Sequence, residues 1–546
     1  MGGYVMSNNN NKESFLKGAL ILSMAGIVVK IMGAFFRIPL SNLIGSVGMG
    51  YYQVVYPIYT LFLTLAVAGF PTALAKLVSE QRAIGNYRGA NKTFKISYTV
   101  LFITGLISFS AFFFGAKFIS TVVLKNSGAY AAMIAVSPAL LFVPLMSSYR
   151  GYFQGRREMS KIAISQIVEQ FFRVSLGLLL GYVLMKSYGP EMGAAGGVLG
   201  AAVGGFASAV FLIYIYLRNS KVRKAEIAHS SHMKVDSTGT ILKKLLCVAI
   251  PITIGACVMP LVNMVDSVIV VRRLQDAGFD INMANALLGQ LSGMAIPIVN
   301  LPVVIDQAIG MSLVPSISEA YALKQMERAR HEAKTGIKTI LLVVLPCAFG
   351  LAALSEPIMA LLYPNVEVTG TATLGTLLFV VSSSAIFLGL VYTQNGILQG
   401  MGKPMIPVMA LLIGMMFKIV ISYTLTAIPS INIIGSGIGT VSAYAVASLI
   451  EFMYIKKHMK LKLSPKEFVI KPLMTVATMY VVVKLAYGLT SGILGNALST
   501  LVSIAIGGVV YVLVLLGIGG VKKEELLTMP KGEKIYSILK KFKLMR

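Results

Sequence analysis

The sequence predicts an all-α, polytopic membrane protein of about fourteen transmembrane helices: two six-helix repeat lobes and two further C-terminal helices. Three observations carry this. Only 13% of the 546 residues are charged and 56% are hydrophobic, whereas a soluble protein carries roughly 25% charged residues. Apolar runs of the length needed to cross a hydrocarbon layer about 30 Å thick recur along the whole chain. A segment near residue 150 also returns at a spacing of 245 residues.

Taken in order, the spans are 18–38, 51–75, 96–116, 130–149, 162–185, 192–217, 245–271, 285–313, 339–362, 372–399, 404–428, 433–455, 470–489 and 496–519. The first is read as a retained helix, because Lys30 and Arg37 interrupt it and no small-residue cleavage site follows. With the N-terminus inside, 38 basic residues fall in cytoplasmic segments and five in outside loops, which favours an even number of spans and both termini in the cytoplasm. This partition accounts for the net charge of +27 without nucleic acid, and the basic face suits anionic lipid headgroups. Cys247, Cys257 and Cys347 are odd in number and sit in apolar runs, so no disulfide framework or metal site is read.

The domain reading is an N-lobe over 1–217, a basic cytoplasmic linker over 218–244, a C-lobe over 245–455, two further helices over 456–519, and a basic cytoplasmic tail over 520–546. The linker reads as a solvated connector. The lobes rest on internal similarity. Gln154-Gly155 aligns with Gln399-Gly400 and Arg173 with Lys418, while Leu77–Glu80 aligns with Ser316–Glu319. Both matches relate segments of like orientation, the pattern of parallel transporter repeats.

Charges inside spans are costly, so each is a candidate for function. Lys30 and Arg37 lie seven residues apart on one helical face and form a cationic stripe. Arg173 and Lys418 hold equivalent mid-helix places in the two repeats, and cations so placed suit a phosphate-bearing headgroup. Glu169, four residues before Arg173, is positioned to neutralise it. Lys484 and Glu451, nearer helix ends, are expected to snorkel. Asp266 and Asp306 lie in helices broken by Pro251, Pro260, Pro297 and Pro302 and are the candidates for coupling to Na⁺ or H⁺, with no other cofactor expected. No cluster of carboxylates, His or Cys carries catalytic chemistry, so neither catalytic residues nor enzyme activity is expected.

The stretches Lys30–Gly45, Tyr149–Gly155, Ser165–Arg173 and Val314–Ser318 resemble the MurJ-like flippases of the multidrug/oligosaccharidyl-lipid/polysaccharide exporter superfamily, in the Gram-positive branch that includes the YtgP and SpoVB proteins. The resemblance spans essentially the whole chain. It implies translocation of lipid II, or a related polyprenyl-pyrophosphate saccharide, by alternating access, with roles in cell-wall biogenesis, cell shape or sporulation and the cell-wall synthesis machinery as partner. It further implies that Arg37, in Gly33-Ala-Phe-Phe-Arg37, contacts the pyrophosphate and that Lys30 replaces a second arginine. The family's cationic positions on helices 2 and 8 are empty here, so Arg173 or Lys418 is the expected substitute, and the resemblance implies that the two helices over 456–519 form a lipid-tail groove. Asp266 resembles an aspartate tied to a sodium site in some members. The alternatives are an exporter of another lipid-linked polysaccharide, a drug/cation antiporter and a non-transporting envelope scaffold.

Overall fold

The computed structural model describes residues 3–230, 232–365 and 370–520; the predicted tail, Gly520 apart, lies outside them. Among the described residues the chain is helical throughout, with no strands, and eleven helices are long and apolar enough to span a membrane. It is a multi-pass membrane protein. Packing divides it into two units, Met1–Gly289 and Gln290–Arg546.

The first unit runs through α1 (Gly3–Val67), α2 (Phe70–Ala83), α3 (Tyr87–Phe118), α4 (Ala129–Val136), α5 (Ala139–Gly155), α6 (Met159–Tyr188), α7 (Pro190–Arg218), α8 (Ser220–His229), α9 (Thr238–Val265), α10 (Val271–Asp276) and α11 (Ile281–Leu288). The second holds α12 (Ile296–Val299), α13 (Val303–Ala322), α14 (Met326–Ala353), α15 (Ser355–Leu362), α16 (Gly370–Ser382), α17 (Ser384–Gly400), α18 (Met405–Leu425), α19 (Ile434–Met459) and α20 (Lys471–Gly517). Two elements each cover two predicted spans. Helix α1 is interrupted at Gly45 (φ 68°, ψ 179°) and α20 at Gly495 (φ 70°, ψ 172°), a backbone region open essentially to glycine alone. The predicted eighth span is not one helix. Its prolines and a π-helical stretch over Gly289–Ala295 divide it into α11, α12 and α13.

The repeat is built from glycines at which neighbouring backbones meet. In the first unit a Cβ on Gly151 of α5 would stand 2.8 Å from the Pro71 carbonyl of α2; in the second, one on Gly396 of α17 would stand 2.1 Å from the Gly310 carbonyl of α13. One turn on, Gly155 meets Ala75 and Val78, and Gly400 meets Val314 and Ile317. The α6/α7 and α18/α19 pairs match too: Gly200 would touch the Arg173 carbonyl at 2.5 Å, and Gly439 the Lys418 carbonyl at 3.3 Å. Small residues at such crossings let helices approach to van der Waals distance, the main attraction available between helices in lipid.

The segment 218–244 departs from the solvated connector the sequence predicts. Its α8 docks on the first unit. Glu226 accepts from Arg156 Nη1 at 2.8 Å and from Arg82 Nη1 at 3.3 Å, Ser230 Oγ accepts the Arg88 N–H at 2.9 Å, and Asn86 and Lys92 donate to the carbonyls of Lys234 and Asp236. Lys221 and Lys224 remain exposed, so composition read the solvated face and missed Glu226, which makes the ion pairs. Burial alone pushes the Glu226 carboxyl up, but hydrogen bonds from Arg156 and then Arg82 outweigh it and hold the group below its ordinary value.

Two expectations follow. Gly396→Ala and Gly151→Ala should each destabilise the protein by about 1–3 kcal/mol, Gly396→Ala the more, read as thermal midpoints in detergent. Because Glu226 titrates lower when folded, its contribution is complete above the ordinary carboxylate range and is lost as pH falls through the folded value. Proteolytic cleavage between 218 and 244 should therefore accelerate in acid, and Glu226→Gln should be cut quickly at neutral pH.

Candidate functional site

In the first unit the predicted cations Arg37 and Arg173 lie around the continuation of α1 beyond Gly45. That stretch presents Tyr52, Tyr56 and Tyr59 at helical spacing, with ring centroids 5.4 Å apart between the first two and 5.8 Å between the last two. Both guanidiniums are within electrostatic reach of Tyr52, and Arg173 is also within reach of Tyr56 and Tyr59. The packing that places them is local: Phe36 and Leu40 of α1 rest against Gly177 and Gly181 of α6, while Gly200 and Gly204 of α7 press on the α6 backbone at Arg173 and Glu169. Arg37 and Arg173 are half-buried; Lys30, two turns before Arg37, is exposed.

Glu169 does not make the ion pair its spacing predicts. Its Oε2 accepts from Arg150 Nη2 at 2.9 Å, and Arg150 also donates to Ser165 Oγ at 2.9 Å and Ser208 Oγ at 3.3 Å. Arg150 lies one residue beyond the fourth predicted span and was counted with the loop cations; the sequence signal that could have found it is the serine-and-glutamate face of α6 opposite it. With Glu169 paired to Arg150, Arg173 forms no salt bridge among the described residues. It feels Glu169 only over a longer range. The tyrosine series also escaped the sequence reading, although its i, i+4, i+7 spacing is visible there.

The second unit differs. Lys418 is 3% exposed, and Glu451, expected to snorkel, is fully buried in α19. The reason is a partner from α17: Gln394, with its amide nitrogen toward the acceptors, donates to Glu451 Oε2 at 3.3 Å and to the Ser448 carbonyl at 3.1 Å.

The two predicted carboxylates fall in different units. Asp266 is buried in the first unit, at the start of a π-helical turn (Asp266–Val270) after α9, beside Ser267, whose hydroxyl donates to the Gln53 carbonyl at 3.0 Å. Asp306 is 1% exposed in α13, below the turn at Pro302. Its Oδ1 has no hydrogen-bond partner among the described residues, and its Oδ2 lies 3.4 Å from where a Cβ on Gly389 would stand. Cys347 of α14 is within electrostatic reach of both Asp306 and Tyr511, and the Tyr511 hydroxyl donates to the Leu342 carbonyl at 2.8 Å. Beside this group is an apolar groove of about 320 Å³, bounded by Pro302, Cys347, Gly350, Met479, Ile504 and Gly507.

The profile of the polysaccharide biosynthesis protein family matches residues 15–321, and that of the MatE family residues 251–424. The chain is 27% identical over 517 residues to "Lipid II flippase MurJ" of Bacillus subtilis (strain 168), covering 91% of this chain and 94% of the relative. It is 27% identical over 524 residues to "Stage V sporulation protein B" of the same organism, covering 95% and 98%. Among solved structures, "Lipid II flippase MurJ, inward closed conformation" superposes with a TM-score of 0.67 at 16% identity, covering 91% of this chain and 98% of that one. An inward-facing multidrug resistance MATE family transporter of the MOP superfamily gives a TM-score of 0.64 at 15% identity, covering 81% and 98%.

The pairing of Arg150 rather than Arg173 with Glu169 makes a specific demand on stability. Arg150→Met should lower the thermal midpoint, since it leaves Glu169 inside a span without the partner of a partly buried pair, and Glu169→Gln in the same chain should recover much of it. Arg173→Met should have little effect on the midpoint, with or without Glu169→Gln.

Proposed function

The chain belongs to the polysaccharide biosynthesis protein family, a transporter family of the multidrug/oligosaccharidyl-lipid/polysaccharide exporter superfamily, and from that premise we propose that it flips a lipid-linked saccharide pyrophosphate, lipid II foremost, across the membrane. The observation that carries the reading is Arg173: a guanidinium within a span, with no salt bridge among the described residues, set with Arg37 around three tyrosines. Guanidinium forks match phosphate oxygens bidentately, and tyrosine hydroxyls supply further donors. A headgroup that took this place would exchange hydration for charge-assisted hydrogen bonds instead of facing hydrocarbon, where each unsatisfied polar group costs several kcal/mol.

The second unit's apolar groove between α14 and α20 supports a lipid-linked cargo on its own account, since a polyprenyl chain needs a continuous apolar surface. Lys418 and Lys30 are proposed as accessory cations. Asp306, with a buried oxygen that has no hydrogen-bond partner among the described residues, is the preferred coupling site for H⁺ or Na⁺, and Asp266 the second. Transport by alternating access, with both termini in the cytoplasm, completes the proposal. The MatE match favours one competing reading, a drug/cation antiporter, which would use the carboxylates for its cargo and leave Arg173 without a task.

The test is lipid II exposure on the outer leaflet of cells whose only flippase is this chain. The chain should restore growth, and Arg37→Ala with Arg173→Ala should lower exposure about tenfold or more, the loss of one or two charge-assisted bonds. Arg37→Lys should act more mildly, because it keeps charge and loses the fork. Exposure undiminished by the double substitution would overturn the cationic site, and export of organic cations without lipid II exposure would establish the antiporter.

A further inference from the structure

A second cationic pocket lies apart from the tyrosine series, on the basic face of the first unit where α7 gives way to α8. It encloses about 120 Å³, and its walls include Tyr152, Arg156, Lys161, Tyr216, Asn219 and Arg223. The charges around it do not balance. Glu226 is shared by Arg82 and Arg156, and Glu158 by Arg156 and Lys161. Arg223 has no carboxylate partner among the described residues. Of the residues lining the pocket three are cations, Arg156, Lys161 and Arg223, and one is an acid, Glu158.

Arg223 is nevertheless held in one orientation. Its Nη1 donates to the Tyr216 carbonyl at 2.7 Å, and its guanidinium carbon lies 3.6 Å from the centroid of the Tyr216 ring. Stacking fixes the plane of the fork and leaves its other N–H groups undirected to any protein acceptor among the described residues. A half-buried, immobilised arginine without a counter-ion, in a pocket of this volume, is arranged for a phosphate-sized anion. Lys161 has a second contact of the same kind, its ammonium 4.9 Å from the Phe153 ring centroid.

The flank of the pocket separates a lipid phosphate from a free one. Tyr214, Leu217 and Val222 are 58–60% exposed where the apolar span Pro190–Arg218 ends, and Val222 itself lines the pocket. An apolar border against a cationic mouth suits a molecule with a phosphate and acyl chains. We propose that this pocket is a binding site for an anionic phospholipid, the phosphodiester pairing with Arg223 and the chains passing over Leu217 and Val222. Since the same Arg156 also grips Glu226 of α8, an occupied pocket tightens the docking of the segment 218–244. The site is independent of the transported substrate and of the reading given above for it.

The test uses the full chain, purified in detergent and titrated with phosphatidylglycerol, phosphatidylcholine or inorganic phosphate, with retention read by native mass spectrometry and stability by thermal midpoint. Phosphatidylglycerol should be retained and raise the midpoint, and phosphatidylcholine and inorganic phosphate should do so far less. Arg223→Gln should weaken phosphatidylglycerol retention about tenfold, the loss of one charge-assisted contact. Arg223→Lys should fall between, and Lys224→Gln, an exposed neighbour, should match the parent. Should Arg223→Gln fail to fold, Arg223→Lys and Tyr216→Leu carry the decision. Undiminished retention in the folded Arg223 variants overturns the site, equal retention of the two lipids overturns its charge preference, and equal protection by inorganic phosphate overturns the lipid assignment in favour of a free anion.

Discussion

Two arginines, Arg150 and Arg173, lie near one carboxylate, Glu169, and the first unit is organised by which of them it neutralises. Glu169 closes on Arg150 at 2.9 Å, and because Arg150 also bonds Ser165 and Ser208, that pair joins the end of α5 to both α6 and α7. The consequence reaches the neighbouring turn. A carboxylate already committed leaves Arg173 its charge, and a positive guanidinium inside a span is stable only with water, hydroxyl groups or an anion around it. The three tyrosines of α1 answer part of that demand, so the continuation of α1 past Gly45 and the position of α6 against it belong to one electrostatic arrangement.

Close helix approach is the second constraint, and it explains why the repeat is carried by glycines rather than by charges. A backbone carbonyl 2.1–2.8 Å from a would-be Cβ admits no side chain at Gly151, Gly396 or Gly200, whichever unit they occupy. The charged residues had no such obligation. In the first unit the acid sits on α6 and pairs with an arginine; in the second an acid sits on α19, where the Gln394 amide donates to it. Backbone architecture is therefore shared between the units while polar chemistry has diverged.

This division also decides what was legible in the sequence. Hydrophobic run length is a property of segments, and the helical, membrane-spanning fold could be read from it. Partner choice is not a property of segments. Glu169 sits four residues from Arg173, the spacing of a helical ion pair, yet a residue on another helix captures it. Glu451 lies near a helix end, where snorkelling is the ordinary expectation, but a tertiary neighbour supplies donors and makes burial tolerable. The linker misled in the same way, since the many solvated lysines hid the single glutamate that docks it.

The two units carry different chemistry. Arg37 and Arg173 lie with the tyrosine series in the first, whereas the second holds an apolar groove and a buried carboxylate, Asp306, whose Oδ1 has no hydrogen-bond partner among the described residues. Asp306 then takes on meaning from its location. A carboxylate of this kind inside a span is stable as the neutral acid or with a bound cation.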